Sequence, residues 1–194
     1  MTISSKSRLS RSLVLNCAIV LVCCANAWAA EGPVGAVVSK PLLAAIKQIS
    51  PSATIVQANQ VDTKGCAPVP KSPGLVLADF NGDGLEDAAV LLSTSVSKEV
   101  EIWQGQELRK ADFLFVIFLN NGKGSYGAHT LDRFAGHIPV DAFIDIESSG
   151  RIRPMGAKKD MALSNPAIIL TFCEKSAAAY VVTGTRIREI PLSD

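Results

Sequence analysis

The sequence lacks the short motifs that mark the common catalytic centres. It contains no His-Glu-x-x-His zinc motif and no Gly-x-Ser-x-Gly nucleophile turn. Its two histidines, His129 and His137, are not at metal-ligand spacing, and a catalytic triad would need one of them beside a nucleophile and an acid. We therefore expect both histidines to be surface residues and expect no catalysis by these routes.

Long apolar runs are also missing. The longest one, from 13 to 24, covers about twelve residues, whereas a membrane-spanning helix needs roughly 20. Three basic residues precede it and Ala27-Trp28-Ala29 follows, which is the pattern of a cleavable secretory signal peptide over residues 1–29. An uncleaved anchor is the alternative. We expect a periplasmic or secreted protein without an integral membrane span after cleavage.

The sequence has no strong excess of charge. The predicted signal peptide, or leader, holds three of the 19 basic residues and none of the 18 acidic ones. This leaves 16 basic against 18 acidic residues in the rest of the chain. A nucleic-acid partner would require a basic face, so we expect none. The remaining residues, 30–194, are enough for a single domain with its own core.

Cysteine is scarce outside the leader. Only Cys66 and Cys173 follow residue 29, and neither has a close cysteine or histidine companion for zinc. In an oxidising compartment the two thiols predict one disulfide, and two separate buried thiols are the alternative. The bond would close a loop of 107 residues and, in the chain-entropy model, stabilise the fold by at most about 4–5 kcal/mol.

The apolar pattern predicts a mainly β fold that borders on the α+β class. Ser39 and Pro41 begin a helix whose apolar stripe ends before Ser50-Pro51. We expect this helix to lie against an antiparallel, blade-like sheet or meander that is not a closed propeller. The polar segment 147–160 predicts a loop. The predicted strands are 53–57, 74–78, 88–92, 113–119, 126–131, 142–146, 167–173, 177–182 and 186–192.

One segment carries an ordered set of oxygen donors. Asp79, Asn81, Asp83 and Asp87 occupy relative positions one, three, five and nine of a short loop, with Gly84 at the sixth. Calcium binds six to eight such oxygens, and glycine permits the sharp turn that brings the two ends of the loop together. The spacing predicts a Ca²⁺ site, and a metal-free Asx/Gly turn is the alternative.

This segment resembles the calcium loop of FG-GAP/VCBS repeats. The similarity rests on the sequence from Ala78 to Val90 and on the later strand and glycine-rich turn from Val116 to Gly127, and it covers about residues 74–131. The resemblance implies a Ca²⁺-binding hairpin in a blade-like sheet. It also implies that the side chains of the four oxygen donors, together with the backbone carbonyl of Leu85, bind the ion. One copy of the motif does not predict a propeller, which needs several blades.

Aromatic residues offer a second candidate surface. Phe113 and Phe115 alternate with polar or smaller neighbours in a manner typical of a strand that faces the core. Trp103 lies in a charged segment, for which we predict half-buried packing, with an exposed contact as the alternative. A recognition face formed by these residues and Tyr126 near the calcium hairpin is the other interpretation.

These observations predict an exported, Ca²⁺-stabilised binding or interaction module without catalysis, with an unknown protein or glycan partner. One alternative is a small envelope hydrolase that uses two carboxylates around a structural calcium. The other is an inhibitor or accessory subunit of another envelope protein. The loose candidates for hydrolytic carboxylates are Asp112, Asp132, Asp141, Asp145 and Glu147.

Overall fold

One helix, α1 (Lys40–Ile49), packs against the larger of two main sheets. The Ser39 hydroxyl accepts a hydrogen bond from the Leu42 N–H at 3.3 Å, and Pro41 lies in the first turn, as predicted. Leu42 and Ile46 are fully buried because the apolar stripe faces the sheet. In this computed structural model the described residues are 38–64, 66, 68–148 and 150–193, so the predicted leader lies outside them.

The described residues form twelve strands and one short 3-10 turn at Ala58–Gln60. Six of the strands are longer than the sequence pattern predicts, and the additional residues include exposed positions that carry no apolar signal. The strands are β1 (Thr54–Ile55), β2 (Leu75–Ala78), β3 (Asp87–Val96), β4 (Glu101–Trp103), β5 (Gln106–Asn120), β6 (Tyr126–Ile138), β7 (Ala142–Glu147), β8 (Arg151–Ile152), β9 (Met161–Ala162), β10 (Ala167–Phe172), β11 (Ser176–Thr183) and β12 (Arg186–Ser193).

The larger sheet contains six antiparallel strands built around β3 and β5. Strands β1 and β2 both pair with β3, and β6 pairs with β5 along most of its length. Strand β4 continues the hairpin of β3 with β5, because Glu101 pairs with Leu108 and the Ser97 N–H donates to the Lys110 carbonyl at 2.8 Å. The result is one long, twisted hairpin with strands added on both sides.

The second sheet has the order β12-β11-β10-β7 and is also antiparallel. It contains the C-terminal meander that the sequence predicts, but the meander builds a separate sheet and does not complete the first one. Neither sheet is closed into a barrel or a propeller among the described residues. The prediction of a plain loop over 147–160 is wrong at Arg151–Ile152, because β8 pairs with β9 and buries Ile152 against the outer face of this sheet.

The main core lies between the two sheets. On β5, Phe113, Phe115 and Ile117 point toward the second sheet, while the alternate residues point toward α1. The phenylalanine pair therefore belongs to the core, and the interpretation of these rings as a recognition face is wrong. Each such buried side chain stabilises the fold by about 1.5–3 kcal/mol relative to exposure.

The predicted disulfide between Cys66 and Cys173 is confirmed. The two cysteines are bonded, their Cα atoms are 5.0 Å apart, and both residues are buried in the core between the sheets. The bond fixes the loop that precedes β2 to the end of β10 in the second sheet. It thereby connects a segment that precedes residues 79–87 in the sequence to one that follows them.

The helix of the described residues does not have both the length and the apolar character that a bilayer-spanning segment requires.

Candidate functional site

The acidic loop, residues 79–87, connects β2 to the start of β3 at one end of the larger sheet. Gly82 and Gly84 have φ angles of +80° and +84°, which residues with a side chain rarely adopt. A Cβ atom on Gly82 would lie 2.9 Å from the Asn165 side chain, and the Asn165 amide donates to the Phe80 carbonyl at 3.3 Å. The loop between β9 and β10 therefore holds the acidic loop from the side of the second sheet.

Asp79 organises the backbone of the acidic loop. Its Oδ1 accepts hydrogen bonds from the N–H groups of Gly82 at 2.7 Å and Asp83 at 3.1 Å, and its Oδ2 accepts one from Gly84 at 2.8 Å. These contacts wrap the turn around one carboxylate. An ionised carboxylate has about four acceptor positions, so three such bonds do not exhaust its capacity.

Asn81 and Asp83 form the next layer of contacts. The Asp83 N–H donates to Asn81 Oδ1 at 2.9 Å, the Asn81 amide donates to Asp83 Oδ2 at 2.9 Å, and Asp83 Oδ1 accepts the Leu85 N–H at 2.8 Å. In two of these contacts a side-chain oxygen accepts the N–H group of the residue two positions later, which is the pattern of an Asx turn.

Asp87 has a different environment, because it is fully buried at the start of β3. Its carboxylate accepts the N–H of Phe80 at 3.1 Å and that of Asn120 at 2.8 Å. Burial raises the pKa of Asp87 above its usual value, the two N–H groups oppose this shift, and the negative charge of Asp83 adds to it. Because its two hydrogen-bond donors lie in the acidic loop and at the end of β5, Asp87 joins these two segments.

The turn after β5 lies beside the acidic loop. The Asn120 side-chain amide donates to the Glu86 carbonyl at 3.1 Å, and a Cβ atom on Gly122 would lie 3.2 Å from the Leu85 side chain. The two segments that carry the family resemblance are therefore neighbours in space. One contact between them, at Glu86, is a hydrogen bond, and the other, at Leu85, is apolar.

The charged side chains of the acidic loop do not by themselves form a metal site. Among the described residues, no three carboxylate, imidazole or thiolate side chains come together closely enough to hold an ion. The structure therefore does not bring the carboxylates of Asp79, Asp83 and Asp87 together around one point. The other donors of the predicted set are neutral, namely the Asn81 amide and the Leu85 carbonyl. Carboxylate, amide and carbonyl oxygens are the hard donors that Ca²⁺ prefers, so the chemistry of this set fits.

The five candidate hydrolytic carboxylates are spread over both sheets. Asp112 accepts the Ser95 hydroxyl at 2.6 Å and lines a cavity of about 520 Å³ on the larger sheet. Asp141 forms an ion pair with Lys175, and Asp145 accepts the N–H of the residue that follows it. Asp132 lines a different cavity. Glu147 is at the end of β7. The sequence-based set therefore does not form one common centre.

Residues that the sequence analysis missed lie around Asp132. Tyr180 and Glu189 are directly paired across β11 and β12, and both line the cavity that contains Asp132. The signal in the sequence was the alternation on β12, where Glu189 takes a position between inward-facing Ile187 and Pro191. Such alternation becomes informative only when the facing sheet is known.

The hairpin tip, residues 96–106, lies at the opposite end of β5 from the acidic loop. Trp103 is 66% exposed and Ile102 is 68% exposed, so the prediction of half-buried packing for Trp103 is wrong. Both side chains lie on the three-residue strand β4, which offers too little neighbouring surface to cover them. Glu101 and Lys110 form an ion pair at 2.7 Å beside them, and this contact lowers the pKa of Glu101.

Comparisons of the chain with protein-family models, with curated protein sequences and with solved structures gave no match.

Proposed function

We propose that the protein is an exported binding or interaction module, without catalysis, whose acidic loop binds one structural Ca²⁺. The observation that carries the proposal is the loop itself. Backbone N–H groups of the loop hold its oxygen-bearing side chains in place. Asp79, Asn81, Asp83 and Asp87 are the side chains that would hold the ion, together with the Leu85 carbonyl.

The electrostatics of the acidic loop support this proposal. Four carboxylates, including that of the exposed Glu86, lie within the nine residues 79–87. Burial raises the pKa of Asp87, and the negative charge of Asp83 adds to this shift. A bound divalent cation offsets the repulsion between these charges and favours the ionised form of each acid. Because Asp87 also contacts the end of β5, ion binding stabilises the junction between the loop and the larger sheet.

The hairpin tip is the surface that we assign to the partner, a protein or a glycan. Its two most exposed apolar side chains, Ile102 and Trp103, lie beyond the body of the sheet, together with the less exposed Val96 and Val100. Exposed apolar clusters of this kind mark interaction sites more often than isolated exposed residues do. The acidic loop and the hairpin tip are separated by the length of β5, roughly 45 Å at the usual rise per residue.

Calcium binding is tested by equilibrium dialysis and by thermal unfolding. We expect one Ca²⁺ per chain with a dissociation constant of about 10⁻⁴–10⁻³ M, as in extracellular modules. At 10 mM Ca²⁺ this affinity stabilises the fold by about 1.5–3 kcal/mol and raises the melting temperature by several degrees. Asp83→Ala should abolish both effects, whereas Glu86→Ala, an exposed acid in the same loop, should preserve them. A chain that takes up no Ca²⁺ at millimolar concentrations would refute the proposal.

Export is tested separately. The leader pattern in residues 1–29 predicts that the exported chain begins at Ala30 and appears in the periplasm or the medium. Fractionation followed by N-terminal sequencing measures both. A full-length chain retained in the membrane fraction would support the uncleaved anchor instead.

A second candidate function, an inhibitor or accessory subunit of another envelope protein, is favoured by the exposed Trp103. A photoreactive amino acid at position 102 should form a discrete crosslink in the intact envelope, whereas the same group at position 86 should not. A single protein crosslinked in a constant ratio would support the subunit, while a heterogeneous set of products would support the more general interaction module.

A further inference from the structure

A cleft lies between the two main sheets along one pair of their edges. No residue of the proposed calcium site lines it. Its mouth lies between β6, an edge strand of the larger sheet, and β12, an edge strand of the second sheet. The edge cleft has a volume of about 320 Å³, at the small end of the usual range for ligand pockets, and is formed by Asp132, Met155, Leu170, Phe172, Ser176, Ala177, Ala178, Tyr180, Glu189 and Pro191.

The hydroxyl group of a tyrosine whose ring is buried forms part of the edge cleft. Tyr180 is only 5% exposed, and its ring packs edge-on against Phe115 with 4.9 Å between the ring centroids. No described residue forms a hydrogen bond with its hydroxyl group. Its oxygen is not among the fully buried side-chain atoms that lack a partner, so solvent in the cleft reaches it. The hydroxyl group is therefore available to accept a hydrogen bond from a ligand that enters the cleft.

Two negative charges flank this hydroxyl. Asp132 and Glu189 reach the edge cleft from opposite sheets, and their charges, after burial, contribute to holding the pKa of Tyr180 well above its usual value. No lysine, arginine or histidine side chain among the described residues forms an ion pair with either carboxylate. The edge cleft therefore has uncompensated negative charge next to a hydrogen-bonding group.

The remaining walls are mostly apolar. Leu170 and Phe172 line the cleft from β10, and Phe172 packs edge-on against Phe134 at 4.9 Å between centroids. Met155 lies at the rim, where its N–H donates to the Pro191 carbonyl at 2.8 Å. Such walls suit the methylene groups of a flexible chain that carries a charged end group.

We propose that the edge cleft binds a primary ammonium group on an aliphatic stem, either a free alkylamine or a lysine side chain of a partner. The ammonium group donates hydrogen bonds to the Tyr180 oxygen and to the carboxylates of Asp132 and Glu189. The stem contacts Leu170 and Phe172. The proposal does not depend on calcium, because no residue of the acidic loop lines the cleft.

Inward-facing charges on edge strands have another known role, since they prevent sheets from adding further strands. That role involves only the two carboxylates, whereas the binding proposal also uses the hydroxyl group of Tyr180 beside them. The two explanations differ in one measurable respect, because only a binding site discriminates between a charged ligand and its neutral isostere.

The test is an NMR titration of the protein, in the presence of a calcium chelator, with n-butylammonium and with n-butanol. Backbone amide signals of residues around Asp132, Tyr180 and Glu189 should shift with n-butylammonium, with a dissociation constant of ~1 mM, and not with n-butanol. N-acetyl-lysine methylamide distinguishes the two sources of the group. Binding of this compound as well as the free amine supports a partner's lysine, and binding of the free amine alone supports a small metabolite.

Substitutions in the edge cleft test which side chains bind the ammonium group. Glu189→Gln and Tyr180→Phe should each weaken n-butylammonium binding at least about tenfold, because each removes one acceptor or charge from the cleft. Glu107→Gln, at an exposed site on β5, is the matched control and should leave binding unchanged. Equal affinity for n-butanol, no binding of either amine compound at 50 mM, or unchanged binding by Glu189→Gln would each overturn the proposal. The calcium experiments above are unaffected by any of these results.

Discussion

The acidic loop and the edge cleft both gather carboxylates, but the two regions use them in opposite ways. In the acidic loop nearly every side-chain oxygen accepts a hydrogen bond from a nearby N–H group. In the edge cleft the Tyr180 hydroxyl has no partner among the described residues, and the carboxylates around it have no cation. Removing a group that has hydrogen-bond partners costs stability, whereas removing a group without them costs little. Substitutions in the two regions should therefore affect stability very differently.

The largest loss of stability should follow Asp87→Ala. The substitution removes the acceptor of the Phe80 and Asn120 N–H groups at a fully buried position, and unsatisfied buried donors cost about 1–3 kcal/mol each. Relief of the buried charge offsets part of this cost, so we expect a net loss of about 3 kcal/mol in guanidinium unfolding without calcium. Glu86→Ala, at the exposed neighbour, should change stability by less than about 0.5 kcal/mol. Equal effects of both substitutions would contradict the assigned role of Asp87.

Asp79→Ala should have the next largest effect. It removes the acceptor of three N–H groups, but these groups lie at a half-exposed turn where water can replace the carboxylate. We expect a loss of about 1–2 kcal/mol by the same measurement. Asp79→Asn keeps one acceptor oxygen and should lose roughly half as much. A neutral Asp79→Ala would show that the N–H contacts of the acidic loop do not stabilise the fold.

Tyr180→Phe should have a small effect at neutral pH. The change removes a hydroxyl without a partner and keeps the ring against Phe115, so we expect a change within about 0.5 kcal/mol. A loss above about 1.5 kcal/mol would mean that the hydroxyl has a partner in solution, and the contrast with the acidic loop would fail.

Tyr180 also makes the stability of the folded protein depend on pH. The pKa of Tyr180 is raised in the folded state, so the folded protein keeps a proton that the unfolded chain releases near pH ~10. This contribution to stability is complete below about pH 10 and is lost as the pH rises toward the folded pKa. The protein contains two tyrosines, so absorbance titration of Tyr126→Phe isolates Tyr180. Ionisation near pH 10 with the fold intact would contradict the raised pKa.

The smallest effects should come from the carboxylates of the edge cleft. Asp132→Asn and Glu189→Gln remove charges that have no cationic partner, and substitutions at such sites usually change stability by less than about 0.5 kcal/mol. A slight gain is expected when both are combined, because the charges repel each other. A loss above about 1 kcal/mol in either single variant, measured without any amine, would mean that these carboxylates stabilise the fold.

The acidic loop could be found from the sequence because its residues are neighbours in the chain. The spacing of Asp79, Asn81 and Asp83 within a few residues constrains where their oxygens can lie, whatever the remaining fold. The helix could be predicted for the same reason, since its cap and apolar stripe are local. The strand β5 was also clear, although its exposed first half carries no apolar pattern and was missed.

The edge cleft could not be found in this way. Asp132 and Glu189 are distant in sequence, and they meet only because β6 and β12 form corresponding edges of two stacked sheets. The same limit explains the error at Trp103, whose exposure depends on how little surface surrounds β4. Residue type and local period do not encode the stacking of sheets whose strands are far apart in the chain.

The most direct test of the account is the anomalous diffraction of crystals grown with excess Ca²⁺. We predict one anomalous peak inside the acidic loop, about 2.3–2.6 Å from oxygens of Asp79, Asn81, Asp83 and Asp87 and of the Leu85 carbonyl, and no peak in the edge cleft. An acidic loop with no peak, whose carboxylates contact only N–H groups and water, would contradict the account.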